Sequence, residues 1–224
     1  LAGGVAHDFN NMLTVILGHT EIALDRVDAA QPIHSDLAAI RAAARRSADL
    51  TRQLLAFARK QIIAPRVLDL NKTVEGTLKM LGRIIGEDIR LIWQPGADLW
   101  SVKADPSQID QVLANLCLNA RDAIGGGGGT ITIATGNAVD EADRAEVADL
   151  APGECVRLVV SDDGCGMDAE TLSHIFEPFF TTKGVGEGTG LGLASVFGAV
   201  KQNGGVIRVR SEPGAGATFT IYLP

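Results

Sequence analysis

Asn115-Leu116-Cys117-Leu118-Asn119-Ala120-Arg121-Asp122-Ala123-Ile124 runs into five glycines, Gly125 to Gly129, and then into Thr130-Ile131-Thr132-Ile133-Ala134. The first stretch has its apolar residues at helical spacing. Upstream, Asp105-Pro106 supplies an N-cap and a proline at the first helical position, so the spacing predicts a helix from there to about Ile124. The glycines end that helix in a flexible turn, and the alternating Thr and Ile read as a half-buried strand. Working outward on the N-terminal side, Val67 to Leu70 reads as a strand, Lys72 to about Leu81 as a helix, and Ile89–Trp93 and Leu99–Val102 as strands. On the C-terminal side, Val156 to Ser161 is a buried strand. A short helix near residues 168 to 175 follows, then a helix from about Leu191 to Gln202, then strands at Val206–Ser211 and Ala217–Leu223. Residues 140 to 153, acidic and alanine-rich, read as an insertion or surface loop. Strands and helices mix without repeated βαβ units, which favours an α+β two-layer sandwich over a doubly wound sheet.

The texture before Pro65 is different. Residues 3 to 28 place Val5, Phe9, Met12, Leu13, Ile16, Leu17, Ile22 and Leu24 at spacings of three and four. Asp28 to Pro32 breaks the pattern, and Pro32 suits the first turn of a new helix. Residues 33 to 60 resume it with Leu37, Ile40, Ala44, Ser47, Thr51 and Leu54, in the manner of a coiled-coil seam. Two such helices form an antiparallel hairpin, and a hairpin alone leaves its apolar stripe uncovered. Pairing with a second copy into a four-helix bundle is the economical arrangement, which makes the expected state a homodimer. The expected domains are therefore 1–64, a helical hairpin, and 65–224, the sandwich.

At 224 residues and 46% hydrophobic content the chain can bury a core in each part. A net charge of −7 argues against nucleic acid as the main partner, because phosphate binding needs a basic face. The longest apolar runs, such as Leu158-Val159-Val160, are too short to span a bilayer, and no signal peptide is visible. Cys117, Cys155 and Cys165 have no metal-ligand spacing and read as reduced thiols, which suits a cytoplasmic location. The chain opens at Leu1 inside a helical pattern, so it reads as a fragment. A membrane anchor in the missing upstream part stays open.

Four short motifs carry chemistry. Asn115 and Asn119 lie four apart on one helix, so both amides project from one face. A neutral amide oxygen suits Mg²⁺, which keeps much of its water and phosphate shell; two asparagines on a solvated face are the plain alternative. Asp162 ends a strand before Gly164-Cys165-Gly166. A carboxylate there can accept from the exocyclic amine of adenine, while the glycines let the backbone approach the base. Gly188, Gly190 and Gly192 lead into a helix whose free N–H groups can face phosphate. Each of these alone is better explained by an ordinary solvated face, turn or loop; all three in order are not. Finally, His7 has Asp8 beside it to orient or deprotonate the imidazole, and Asn11 one turn on. His19, His34 and His174 have no such company and read as structural.

Together the residues resemble the catalytic core of a sensor histidine kinase of the bacterial two-component systems. His7-Asp8 is similar to the family's phospho-acceptor box, Asn115 to Ala123 to its asparagine box, and Asp162 to Met167 to its first glycine box. Phe176-Glu177-Pro178-Phe179-Phe180 is similar to the phenylalanine box, Gly188 to Leu193 to the second glycine box, and Gly214 to Phe219 to the final one. The Ala6-His7-Asp8-Phe9-Asn10-Asn11 form looks most like hybrid kinases, which often carry a receiver domain downstream.

The resemblance implies a Bergerat-type ATP-binding sandwich after a dimerising hairpin, with ATP and Mg²⁺ as cofactors. It implies Asn119 as metal ligand with support from Asn115, and Asp162 reading adenine beside Gly164 and Gly166. Residues 177 to 190 would form a mobile lid, with Thr182 and Lys183 near the terminal phosphate and Lys183 neutralising charge during transfer. Gly188, Thr189, Gly190, Leu191, Gly192 and Thr218 would complete the nucleotide contacts. His7 would attack with Asp8 as general base. The phosphohistidine would donate to an aspartate of a response-regulator receiver domain, and Asn11 would support removing phosphate from that regulator. Asp122 stands where many such kinases have a basic residue, so a phosphate role on that side falls to Arg121. Asp122 also resembles gyrase, Hsp90-type chaperones and mismatch-repair ATPases, which share the pocket. Asp163 and Cys165 replace a frequent Asn and Pro. Two other readings compete: an ATPase that drives a conformational clamp, and a degenerate module that binds nucleotide or only dimerises.

Overall fold

The computed structural model describes residues 2–28, 31–58, 64–86, 88–139, 154–184 and 188–224; for residues 2–11, 46, 49–58 and 83 it describes the backbone alone. The acidic stretch at 140–153 lies outside the described residues. Two compact units divide the chain, one of residues 1–62 with 183–191 and the other of residues 63–182 with 192–224.

In the first unit, α1 (Ala2–Leu24) and α2 (Pro32–Ala58) pack on one another as a hairpin. Leu24 and Ala44 are buried, and the buried Thr20 hydroxyl donates back to the Ile16 carbonyl at 2.6 Å. An exposed ion pair, Arg45 to Glu21 at 2.9 Å, joins the helices. Met12, Val15, Ile16, Ile22, Ile33 and Ile40 all remain exposed on the hairpin. No helix among the described residues is long and apolar enough to cross a membrane.

The second unit sets helices against a sheet. Its elements run β1 (Arg66–Leu68), α3 (Leu70–Ile85), β2 (Ile89–Gln94), β3 (Val102–Ala104), α4 (Pro106–Ile124), β4 (Gly129–Asn137) and β5 (Val156–Asp162). Then come α5 (Ala169–His174), α6 (Gly192–Gln202), β6 (Val206–Ser211) and β7 (Ala217–Leu223). The sheet has the order β2-β4-β5-β7-β6, parallel only between β2 and β4; β1 and β3 form a separate antiparallel pair. One side of each strand is apolar by alternation: Ile131 and Ile133, Leu158 and Val160, Phe219 and Ile221. These meet Val74 and Leu81 of α3, Leu113 and Leu116 of α4, and Val196 and Val200 of α6 in a single core. The fold is thus α+β, with a helical hairpin before a two-layer sandwich, as the alternation and the absence of βαβ repeats predict.

Several boundaries differ from the expectation, each for a local reason. The predicted strand at Leu99–Val102 begins only at Val102, because the Trp100 N–H goes to the Asn137 side chain at 3.0 Å and not to a ladder. α3 starts at Leu70 because Asp69 caps it, its carboxylate accepting from the Lys72 N–H at 3.3 Å. It runs on to Ile85 and stops at Gly86, where φ is +102°. The glycine tract is more structured than a flexible turn. Gly125–Gly127 make one 3₁₀ turn, and Gly129 already belongs to β4. Gly129 has no room for a side chain: a Cβ would come within 2.6 Å of an Asp163 carboxylate oxygen and 2.7 Å of Ile124.

A candidate nucleotide site on helix α4

α4 brings the predicted parts together. Its start is fixed by Asp105, which accepts from the Ser107 N–H at 2.9 Å and the Ser107 hydroxyl at 2.7 Å, with Pro106 in the first turn. Val112, Leu113, Leu116, Cys117 and Ala120 face the core. That leaves Asn115 and Asn119 half-buried together on the flank. Neither side-chain amide has a hydrogen-bond partner among the described residues. The start of α6 faces them: a Cβ on Gly192 would lie 3.7 Å from the Asn119 amide nitrogen and 3.9 Å from the Asn115 amide oxygen. Two neutral oxygens and the N-terminal end of an eleven-residue helix therefore share one space, a donor set suited to a hard cation and the phosphates it carries.

The loop that follows Asp162 is fastened to the same helix, one turn further on. The Cys165 N–H donates to the Ala123 carbonyl at 3.0 Å. Gly164 packs so closely there that a Cβ would come within 2.8 Å of the Ala123 carbonyl carbon. Asp162 accepts from the Gly164 N–H at 2.9 Å. Burial pushes its carboxyl above the ordinary range, against the N–H groups of Gly164 and Ala217 that favour the charged form; the neighbouring Asp163 charge adds to the rise. Thr218 sits across the strand pair from Asp162's neighbour Ser161, the two hydroxyls 2.8 Å apart. Cys117, buried between the two asparagines, has its thiol pushed up to about 12 by desolvation and is inert.

Arg121 is not brought to the asparagine pair. Its guanidinium is engaged by its neighbour Asp122 at 2.8 Å and by the Ile84 carbonyl of α3 at 3.3 Å. Two positions past Asn119, it also points to another side of the helix. His174, read as having no company, has partners three and six residues on. Its Nδ1 lies 2.8 Å from a Glu177 carboxylate oxygen, and its ring is 5.5 Å from that of Phe180. In the same box Phe176 packs against Phe197 at 5.2 Å, while the exposed Phe179 adopts φ +71°, a strained value for a side chain of that size.

Thr182 is exposed in the second unit, whereas Lys183, Gly188, Thr189, Gly190 and Leu191 group with the first. Within that segment the Leu191 N–H donates to the Thr189 hydroxyl at 3.4 Å, and Gly190 takes φ +64°. His7, Asp8 and Asn11 lie on the backbone of α1, with His7 and Asn11 one turn apart; their side chains lie outside what the structure describes.

Three residues that support the site are not among the predicted site residues. Asp163 accepts from the Thr130 N–H at 2.7 Å, tying the loop to the start of β4. Ser211 bonds Met167 and Gly216. Asn203, at the end of α6, accepts from the Asp105 N–H at 3.0 Å and donates to Gln108 at 2.6 Å and to the Ala199 carbonyl at 2.8 Å. Apart from Gly216 and Ala199, these partners lie 33 or more residues away in sequence, out of reach of any local pattern.

Comparison with known proteins agrees with this geometry. Residues 104–224 match the family described as histidine kinase-, DNA gyrase B-, and HSP90-like ATPase. Residues 1–62 match the His Kinase A (phospho-acceptor) domain. The sensor kinase CckA of Brucella abortus (strain 2308) is 49% identical over 226 residues, spanning 100% of this chain and 24% of that protein. Crystalline full-length ShkA in complex with AMPPNP has the same fold, with a TM-score of 0.70 at 24% identity, covering 100% of this chain and 45% of that one. The histidine kinase ThkA, crystallised with the response regulator protein TrrA, gives 0.63 at 23% identity, covering 98% and 59%. The chain therefore spans about a quarter of the length of its CckA relative. With an ATPase domain of that description behind a phospho-acceptor hairpin, the chain belongs to the histidine kinase-, DNA gyrase B-, and HSP90-like ATPase family and has the make-up of a sensor histidine kinase catalytic core.

Proposed function

We propose that the chain is an ATP-dependent protein-histidine kinase that phosphorylates its own His7 and passes the phosphoryl group to an aspartate of a response-regulator receiver domain. In this reading residues 1–64 present the histidine and residues 65–224 hold the nucleotide. The observation that carries it is the meeting of two unpartnered amides, Asn115 and Asn119, with the start of α6, on the helix that also anchors the Asp162 loop. Asp162 would accept the adenine amine; the N–H groups opening α6 would face the phosphates. Mg²⁺ held by Asn119 with Asn115 would neutralise charge on the β- and γ-phosphates. Gly164 and Gly166 would leave room for the base, and Gly188, Thr189, Gly190, Leu191, Thr182 and Thr218 would line the remainder. Lys183 would offset charge on the moving group.

A His7 ring nitrogen would form the N–P bond as the bond from the γ-phosphorus to its bridging oxygen breaks. The electron pair leaves with ADP and the ring proton passes to Asp8. Transfer to the regulator would follow, as the crystallised ThkA–TrrA pair suggests, and Asn11 would support dephosphorylation of that regulator. The exposed apolar row on the hairpin supports homodimerisation, the partner being a second hairpin.

Incubation with Mg²⁺ and γ-labelled ATP, beside a His7→Gln variant, tests the reading. Acid-labile label on the parent chain and none on the variant is the expected result. Label that resists acid, or persists in the variant, would refute it. Nucleotide turnover without label would favour the conformational ATPase.

A further inference from the structure

We infer that Ser211 is a positioning residue for adenine recognition, holding the Asp162 loop through a single hydroxyl. Ser211 closes β6 and pairs with Ala217 of β7. Its Oγ accepts from the Met167 N–H at 2.9 Å and donates to the Gly216 carbonyl at 2.6 Å. Met167 directly follows Gly166, and Gly216 directly precedes Ala217, whose N–H faces the Asp162 carboxylate. The hydroxyl thus ties together the two turns on either side of Asp162.

Gly166 and Gly216 both take left-handed backbone angles, φ +66° and +76°. A Cβ on Gly166 would collide with the Glu212 carbonyl, and one on Gly216 with the Asp162 carbonyl. The two backbones therefore touch directly, and the Gly214 N–H bond to the Cys165 carbonyl at 2.7 Å crosses them, as does the Ala217 N–H on Asp162. Without Oγ, the Met167 donor and the Gly216 acceptor lose their partner together. The β5-β7-β6 ladder does not depend on the hydroxyl, so the loop would loosen while the sheet persists. A contact to the base is equal in the ground and transition states, so its loss acts on binding and not on the chemical step.

The inference rests on the proposed reading of Asp162 as the adenine acceptor. Its test is calorimetric binding of ATP and ADP, with the KM and kcat of autophosphorylation, for the parent chain, Ser211→Ala and Ser211→Thr. Ser211→Ala should weaken both nucleotides about ten-fold and raise KM with kcat unchanged, and Ser211→Thr should restore most of the affinity. Unchanged affinity in Ser211→Ala, or a fall confined to kcat, overturns the inference and leaves the kinase reading standing. A parent chain that binds no adenine nucleotide overturns both. If Ser211→Ala does not fold, Ser211→Thr against Ser211→Val compares the hydroxyl at equal shape, and equal affinities overturn the inference.

Discussion

At the scale of the residue, Asp162 sits at the edge of the apolar core, where desolvation opposes its charge and raises its pKa. Such an acid weakens the fold once pH exceeds its unfolded value, and the loss is complete above its folded value. Asn at this position still accepts from the Gly164 N–H but carries no charge, and it sets an amide N–H₂ against the adenine amine. Asp162→Asn should therefore abolish ATP binding yet raise the melting temperature of the nucleotide-free protein at pH 7. The gain should shrink as pH falls through the range where Asp162 itself protonates. Calorimetric melts of both proteins from pH 7 to pH 4 check this; a variant less stable at pH 7 would contradict it. Asp162 was legible in the sequence, since a carboxylate between a strand and a glycine turn is a local pattern. Ser211 and Asp163 were not. The Met167 and Thr130 N–H groups they hold are 44 and 33 residues away, brought close only by the sheet.

At the scale of the element, α4 and α6 are fastened at the end away from the asparagines. Asp105 is 6% exposed and Asn203 9%. The Ala64 N–H, the first of several donors to the Asp105 carboxylate, holds its pKa below the ordinary carboxylate value. The sign is opposite to that of Asp162: this stability is present above the unfolded pKa and is lost as pH falls through the folded one. Asp105→Ala should cost about 1 kcal/mol at pH 7, as a lost cap does, with the deficit narrowing in acid. Asn203→Ala should cost about 1–3 kcal/mol, because it leaves the Asp105 N–H and the Gln108 side-chain amide oxygen without their bonds to Asn203. Urea unfolding at pH 7 and pH 3.5 measures both; equal deficits for Asp105→Ala at the two values would refute the assignment. α4 itself could be read from its Asp-Pro start, its helical spacing and its glycine stop. β3 could not, because Trp100 has the composition of a strand residue but gives its N–H to a side chain.

At the scale of the whole molecule, the hairpin keeps Met12, Val15, Ile16, Ile22, Ile33 and Ile40 in solvent while the sandwich encloses its own core. Ile40→Glu should drive the chain toward monomer in sedimentation at micromolar concentration, with its ATP affinity unchanged. A chain that is monomeric before the substitution would refute dimerisation through this surface. The sheet order carries a consequence of another kind. β5 bears Asp162, and its neighbours are β4 and β7, with β7 also closing β6. β7, which pairs with β5 beside Asp162, is thus encoded more than fifty residues after it. On a ribosome the hairpin emerges whole long before residue 223, but a chain stopped ahead of β7 leaves β5 and β6 without the strand that joins them. Under the proposed function, interrupted translation would yield hairpins able to pair with an intact copy while lacking a nucleotide site of their own.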